Sequence, residues 1–273
     1  MIRFCNGNLL EADADAMVNT VNCVGIMGKG IALQFKQAFP DNYKSYAKAC
    51  ARQEVELGRM FVFLTGKIST PSFIINFPTK NHWKGKSKLS DIKSGLVDLI
   101  DVVRRNRIKS IALPPLGCGN GGLDWSSVFP LIEAAFATVP EVSLLLFAPQ
   151  AAPASADMPV ATKRPRMTRS RAIMVKLIDR YREPGYRLTK IEVQKLAYFI
   201  QKAGEPLNLN FVKHTFGPYS DSLKHTFNDM EGHMTRGFGD GSTESTIYPC
   251  RERSRKLTCI CRMILKLRID CKR

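Results

Sequence analysis

From Ile2 to Phe147 short β-rich runs alternate with stretches of helical periodicity, and this alternation narrows the possible folds more than any other feature of the chain. It is the pattern of an α/β domain, in which helices cover both faces of a largely parallel or mixed sheet. The expected strands are Ile2 to Phe4, Ala16 to Val21, Met60 to Thr65, Phe73 to Phe77, Ser110 to Leu113 and Val142 to Phe147. Between them Ile31, Phe35, Ala38 and Phe39 share one helical face, and Ile92, Leu96, Leu99, Ile100 and Val103 share another. A last helix is expected from about Asp124 through Val128, Ile132 and Ala135.

A chain of 273 residues has room for one large or two modest domains. The division falls at residues 149–170, where Pro, Ala and basic residues mix without apolar periodicity, as in a linker. Beyond it the pattern is helical. Ile173, Leu177 and Ile178 form one apolar face, and Ile191, Lys195, Leu196, Tyr198 and Phe199 form a second. A turn at Gly217-Pro218-Tyr219 leads into a helix expected over Leu223 to Met230. The expected order is therefore a first domain over 1–148, the linker, a smaller mainly helical domain over 171–243, and a tail over 244–273.

The formal net charge is +17, which suggests a polyanionic partner, but it is unevenly spread. Residues 1–150 carry only +5, whereas residues 250–273, with nine basic and two acidic side chains, carry +7 by themselves. Net charge alone is thus no argument for nucleic acid at the first domain. No apolar run reaches the roughly 18 residues of a membrane span, and the start of the chain lacks the features of a secretory signal, so the expected location is the cytoplasm, without a membrane partner. In that compartment the eight cysteines read as thiols, and the spacing of Cys5, Cys23, Cys50 and Cys118 suggests no metal site. No cofactor is expected.

Three polar segments fall at strand ends, where the loops of α/β folds converge on ligands. The first, Asn22-Cys23-Val24-Gly25-Ile26-Met27-Gly28-Lys29-Gly30-Ile31-Ala32, runs from a strand through three glycines into a helix. The second, Gly117-Cys118-Gly119-Asn120-Gly121-Gly122-Leu123-Asp124, repeats that order. Free N–H groups at such helix starts suit phosphate, and two such loops suit a diphosphate, although tight turns alone also use glycine. The third segment, Phe77-Pro78-Thr79-Lys80, ends a strand at a lysine, with His82, Trp83 and Lys84 just beyond. Taken alone, Lys80 is equally a surface lysine and Asp124 a helix N-cap.

With Asn6-Gly7-Asn8-Leu9-Leu10 ahead of them, these three segments resemble, in order, the macrodomain family, and more narrowly its DarG antitoxin branch, whose members remove ADP-ribose from DNA. The resemblance implies a macrodomain over about residues 1–150. It would place Asn8 and Leu9 near the adenine and Asn22, Gly28, Lys29, Gly30 and Ile31 around the distal ribose and phosphates. Thr79 would line the cleft, and Gly117, Cys118, Gly119, Asn120, Gly121 and Leu123 would form the second phosphate loop. Many macrodomains carry an aspartate where Asn8 stands; the amide still accepts a hydrogen bond but carries no charge.

The resemblance also implies that Lys80 and Asp124 are the catalytic pair for cleaving an N-glycosidic bond. Such cleavage creates oxocarbenium character at the anomeric carbon and needs a nucleophile and a proton source. His82 and Trp83 are then placed to stack on DNA bases, with Lys84, Lys86 and Lys88 on phosphates; a packed pair and a solvated charge run are the plain alternatives. A non-catalytic ADP-ribose reader and a hydrolase of ADP-ribosylated protein remain rival readings.

Residues 195–241 resemble the C-terminal, Panacea-like domain of DarG-type antitoxins, which holds a DarT toxin. His214, His225 and His233 lack a credible nucleophile or metal partner in sequence and read as surface or core residues. The tail, with Cys250, Cys259, Cys261 and Cys271, fits no part of the resemblance and reads as a frame-shifted or truncated end, with a genuine basic tail as the alternative.

Overall fold

The computed structural model describes residues 1–66, 69–149, 158–181, 186, 188–238 and 246–250. The chain divides into two compact units between Thr162 and Lys163. In the first unit, strands β1 (Ile2–Cys5), β2 (Ala16–Asn22), β3 (Phe61–Leu64), β4 (Phe73–Lys80), β5 (Ser110–Leu113) and β6 (Ser143–Phe147) form one sheet in the order β1-β6-β5-β2-β4-β3. Every neighbouring pair is parallel except β3 and β4. The α/β mixed sheet expected from the sequence is thus the observed one.

Strand β4 shows how side-chain alternation makes the layers. Ile75 and Phe77 join the core under α3 (Leu89–Arg105) and α4 (Trp125–Phe136), with Ile92, Leu96, Leu99, Val128 and Ile132. Ile74 faces the opposite layer, with Met17 and Phe35 of α1 (Gly30–Ala38). Helix α3 lies close on its side because Gly95 lacks a side chain: a Cβ there would stand 2.4 Å from the Phe77 ring.

Helix α2 (Pro40–Ala51) did not stand out in the sequence. Its buried face is short, formed by Tyr46, Ala49 and Cys50, and includes the polar Asn42. Asn42 is fully buried because it exchanges amide hydrogen bonds with Asn76 of β4, at 2.7 and 3.3 Å. Asn19 of β2 completes the group, donating to Asn76 Oδ1 at 3.0 Å.

The second unit contains α5 (Arg169–Tyr181), α6 (Lys190–Lys202), a β7–β8 hairpin (Val212–His214, Gly217–Tyr219), α7 (Asp221–Met230) and the short pair β9 (Thr235–Arg236) and β10 (Tyr248–Pro249). A capping box at Thr189 and Glu192 opens α6. The inward faces match those expected only in part: Ile178 is fully buried and Leu177 and Leu196 pack against the core, but other positions differ. Helix α5 buries Ala172, Met174, Val175 and Ile178, and α6 buries Val193, Gln194 and Ala197, while Ile191 and Phe199 are exposed. Gln194 turns inward because its amide meets both the N–H and the carbonyl of Ser220, a polar demand that hydrophobic periodicity does not register.

The limits of the expected linker and tail also shift. Met158 is buried and Ala161 donates its N–H to Gln37 in the first unit, while α5 begins at Arg169, inside the expected linker. At the other end Ile247 is fully buried in the second unit's core and donates to the Leu188 carbonyl, so ordered packing reaches past residue 243. Cys259, Cys261 and Cys271 lie outside the described residues. Among those described, no helix is long and apolar enough to cross a membrane.

Candidate active site

Strands β5, β2 and β4 are parallel neighbours, so their C-terminal ends open on one edge of the sheet and bring all three polar segments together. Strand β4 runs on past Phe77, where the sequence suggested it stops, to Lys80. The β2–β4 ladder pairs Val21 with Pro78 and Asn22 with Lys80, and its register shifts there, leaving Thr79 as an extra residue. Proline cannot donate to a ladder, so Pro78 marks this irregularity in the sequence. A bulge re-aims the side chain that follows it, here Lys80.

The first glycine loop is held by side chains. Asn22 Oδ1 accepts from the N–H groups of Val24 and Ile26 at 3.0 and 3.3 Å, and its Nδ2 donates to the Ile26 carbonyl at 2.6 Å. Tyr46 donates its hydroxyl proton to the Asn22 carbonyl, and burial keeps that phenol well above its ordinary pKa and protonated. Asn22 therefore acts first as the organiser of residues 23–26. Farther along, Met27 is buried with its sulfur 3.8 Å from Asn19 Nδ2. Lys29 and Gly30 then open α1, Gly30 in the left-handed region at φ +58, and no side chain caps the helix start.

The second loop is held by closeness of backbone. A Cβ on Gly121 would lie 2.3 Å from both the Gly117 carbonyl oxygen and Ser87 Oγ, and one on Gly117 would lie 2.8 Å from Leu123. Ser87 donates its N–H to Gly121, and Leu123 donates to Gly117, each at 3.0 Å. Gly119 and Gly28 differ: neither needs a left-handed backbone, and a Cβ at Gly119 would meet nothing within 4 Å. The two loops meet where a Cβ on Gly30 would come within 3.1 Å of Asn120 Nδ2.

Lys80 lies beside that junction, donating from Nζ to the Asn120 carbonyl at 2.9 Å. Partial burial strips water from its ammonium and lowers its pKa below the ordinary 10.5, and it forms no ion pair among the described residues. Asp124 is the exposed N-cap of α4, its Oδ1 accepting from Ser126 N at 3.1 Å. Cys118 is pushed up to about 11 by burial and then by the charge of Asp124, so this loop cysteine is a protonated thiol at neutral pH. Lys80 and Asp124 are thus on the same edge but are not paired to each other.

At the other expected end of the cleft, Asn8 caps the 3-10 turn Leu9–Glu11, its Oδ1 accepting from Leu10 N at 3.0 Å, while Leu9 is buried in the core. His82, Trp83 and Lys84 are exposed just beyond Lys80. Among the described residues no group of three or more His, Cys, Asp or Glu side chains is placed to hold a metal.

The macro-domain family model matches residues 18–132. The chain is 48% identical over 248 residues to a DNA ADP-ribosyl glycohydrolase of Thermus aquaticus, covering 90% of this chain and 69% of that protein. The chain belongs to the DNA ADP-ribosyl glycohydrolase family. Among solved structures, the macrodomain of Mycobacterium tuberculosis DarG is 54% identical with a TM-score of 0.55, covering 55% of this chain and 99% of that one. Thermosipho africanus DarTG in complex with ADP-ribose is 33% identical with a TM-score of 0.51, covering 54% of this chain and 41% of that one.

Within this glycohydrolase fold, several side chains that shape the site went unremarked in the sequence. Ser87 backs the second loop, and Asn19, Asn42, Asn76 and Met27 support the first from below. Asparagine in a strand otherwise rich in apolar residues, as at Asn19 and Asn76, is the signal that could have drawn attention to them: a buried amide is tolerated only where it is hydrogen-bonded.

Proposed function

We propose that the first unit hydrolyses the bond joining ADP-ribose to a thymine base in single-stranded DNA, with Lys80 as the nucleophile. The observation that carries this reading is the environment of Lys80: a partly desolvated amine with a lowered pKa and no carboxylate partner among the described residues, bonded beside the meeting point of two glycine loops. Family membership supplies the reaction class.

In the proposed step the neutral Lys80 amine attacks the anomeric carbon of the distal ribose. The carbon–nitrogen bond to the base breaks, its electron pair leaves on the base nitrogen, and that nitrogen takes up a proton. Water then displaces lysine from the sugar, releasing ADP-ribose and the free amine. Asp124 has one carboxylate oxygen committed to Ser126 and keeps the other for moving protons or facing positive charge on the sugar. The helix start at Gly30 and the N–H groups of the second loop would bind the diphosphate, and Gly28 and Gly119, which the fold does not require to be glycine, fit close approach of the ligand.

An ADP-ribosylated oligonucleotide given to wild type and Lys80→Ala tests the assignment. We expect a loss of at least about 100-fold in rate with ADP-ribose binding retained. Equal turnover would remove Lys80 from catalysis and point to a different nucleophile, whereas no turnover by the wild type would leave a reader. Because the active form is the neutral amine, the wild-type rate should rise with pH through a midpoint below the ordinary lysine value of 10.5.

In the same reading the chain is an antitoxin that reverses modification by a DarT toxin, and its second unit binds that toxin. Support comes from the resemblance of residues 195–241 and from a relative whose name joins both activities in one fusion protein. Co-purification of a co-expressed DarT with the full chain is the expected result, and its clean failure would withdraw toxin binding.

A further inference from the structure

The stretch between Lys80 and α3 has features that hydrolysis of the sugar bond does not use. Asn81, His82, Trp83, Lys84, Gly85 and Lys86 are all exposed, and Trp83 shows 43% of its surface. A single exposed aromatic is ordinary on a protein surface, but Trp83 is paired with a second exposed ring, His82, just beyond Lys80. The segment is nevertheless well organised. The His82 and Trp83 rings stand 5.4 Å apart at 32°, Gly85 donates its N–H to the His82 carbonyl at 2.9 Å, and Lys84 donates its N–H to His82 Nδ1 at 3.3 Å.

Both ends of the stretch are tied to the loops of the site. Cys23 of the first loop donates its N–H to the Asn81 carbonyl, and Ser87 donates to Gly121 of the second, each at 3.0 Å. The backbone that carries the rings is therefore anchored at both ends to the loops of the site. The charge around them is one-sided: Lys84, Lys86 and Lys88 are exposed, and none forms an ion pair among the described residues. The Lys84 ammonium instead rests 5.0 Å from the centre of the Trp83 ring.

Resting on the proposed DNA glycohydrolase reading, we infer that residues 82–88 form a platform for the unmodified part of a single-stranded DNA substrate. A base flanking the modified one stacks on Trp83, and the neighbouring phosphates lie on Lys84, Lys86 and Lys88. Charge complementarity selects a polyanion, and the exposed aromatic pair selects one with unpaired bases, since duplex DNA offers no free base face. An exposed cation–π contact is weaker than base stacking, so an arriving base displaces the Lys84 ammonium from the ring and leaves it free for a phosphate. The platform would let a domain of only modest net charge hold a strand, because Lys80, Lys84, Lys86 and Lys88 follow one another within a short stretch of chain.

Binding of an unmodified, labelled oligothymidylate to the full chain, followed by fluorescence anisotropy, separates this inference from the catalytic one because no bond is cleaved. Trp83→Ala should weaken binding by roughly 5- to 150-fold. Trp83→Phe, which keeps an aromatic face, should restore most of it, as a merely structural defect would not allow. Replacing Lys84, Lys86 and Lys88 together by alanine should reduce the slope of log affinity against log salt by about 2. Equal affinity of Trp83→Ala and wild type would overturn the platform, as would duplex binding as tight as the single strand or equal competition by polyglutamate of matched charge. Any of these results beside normal hydrolysis of modified DNA would remove the platform and keep the enzyme. Normal oligothymidylate binding without hydrolysis would do the reverse.

Discussion

The two glycine loops look alike in sequence, each running from a strand into a helix, yet they are built by different forces. The first is held by directional side-chain hydrogen bonds, from Asn22 to its own loop and from Asn19 to Met27. The second is held by a lack of space, with Gly117, Gly121 and Ser87 packed so closely that only hydrogen fits at residue 121. Glycine content therefore overstates what the loops share. Left-handed glycines serve both, Gly25 and Gly30 in the first and Gly117 and Gly122 in the second; what the second adds is the backbone approach at Gly121 that no Cβ allows.

Three substitutions sharpen that contrast. Gly121→Ala should have the largest effect, because its methyl group would meet a carbonyl oxygen that cannot move without moving the loop. A stability loss of about 1–3 kcal/mol is expected, with ADP-ribose binding abolished, read by thermal denaturation and calorimetry. Asn22→Ala should follow. It strands the N–H groups of Val24 and Ile26, which are close enough to the surface for water to replace some of the lost bonds, so about 1–2 kcal/mol is expected, with weakened rather than abolished binding. A full loss of binding in Asn22→Ala with unchanged stability would instead make its amide a direct ligand contact. Gly119→Ala should be the mildest: stability within about 0.5 kcal/mol of wild type, but ADP-ribose affinity lower by roughly tenfold if the ligand backbone passes there. Unchanged affinity would mean that the diphosphate does not approach that glycine.

The same contrast explains what the sequence made legible. Strand Ser110–Leu113 and the capped start of α4 at Asp124 follow from apolar runs and local capping chemistry, and both are where the pattern puts them. The continuation of β4 to Lys80 was hidden by Pro78, which reads as a strand end and is instead part of a bulge. Helix α2 was hidden by Asn42, and the inward face of α6 by Gln194, because each buries an amide whose partner comes from a distant segment. Periodicity sees the burial of carbon; it has no access to hydrogen bonds closed across tens of residues. The three polar segments do meet at the ends of β2, β4 and β5, but the division of labour among them, with Asn22 turned onto its own loop and Lys80 onto Asn120, belongs to the folded chain.

Among the described residues the Lys80 ammonium gives the surrounding protein a single hydrogen bond, to the Asn120 carbonyl at the mouth of the site. The sheet and the first loop take no hydrogen bond from that ammonium, and the second loop is also closed by backbone bonds from Ser87 and Leu123. On the proposed role of Lys80, an eraser and a reader of the same mark would stand one codon apart, and the amine-less variant would serve as a reagent that retains modified strands for isolation.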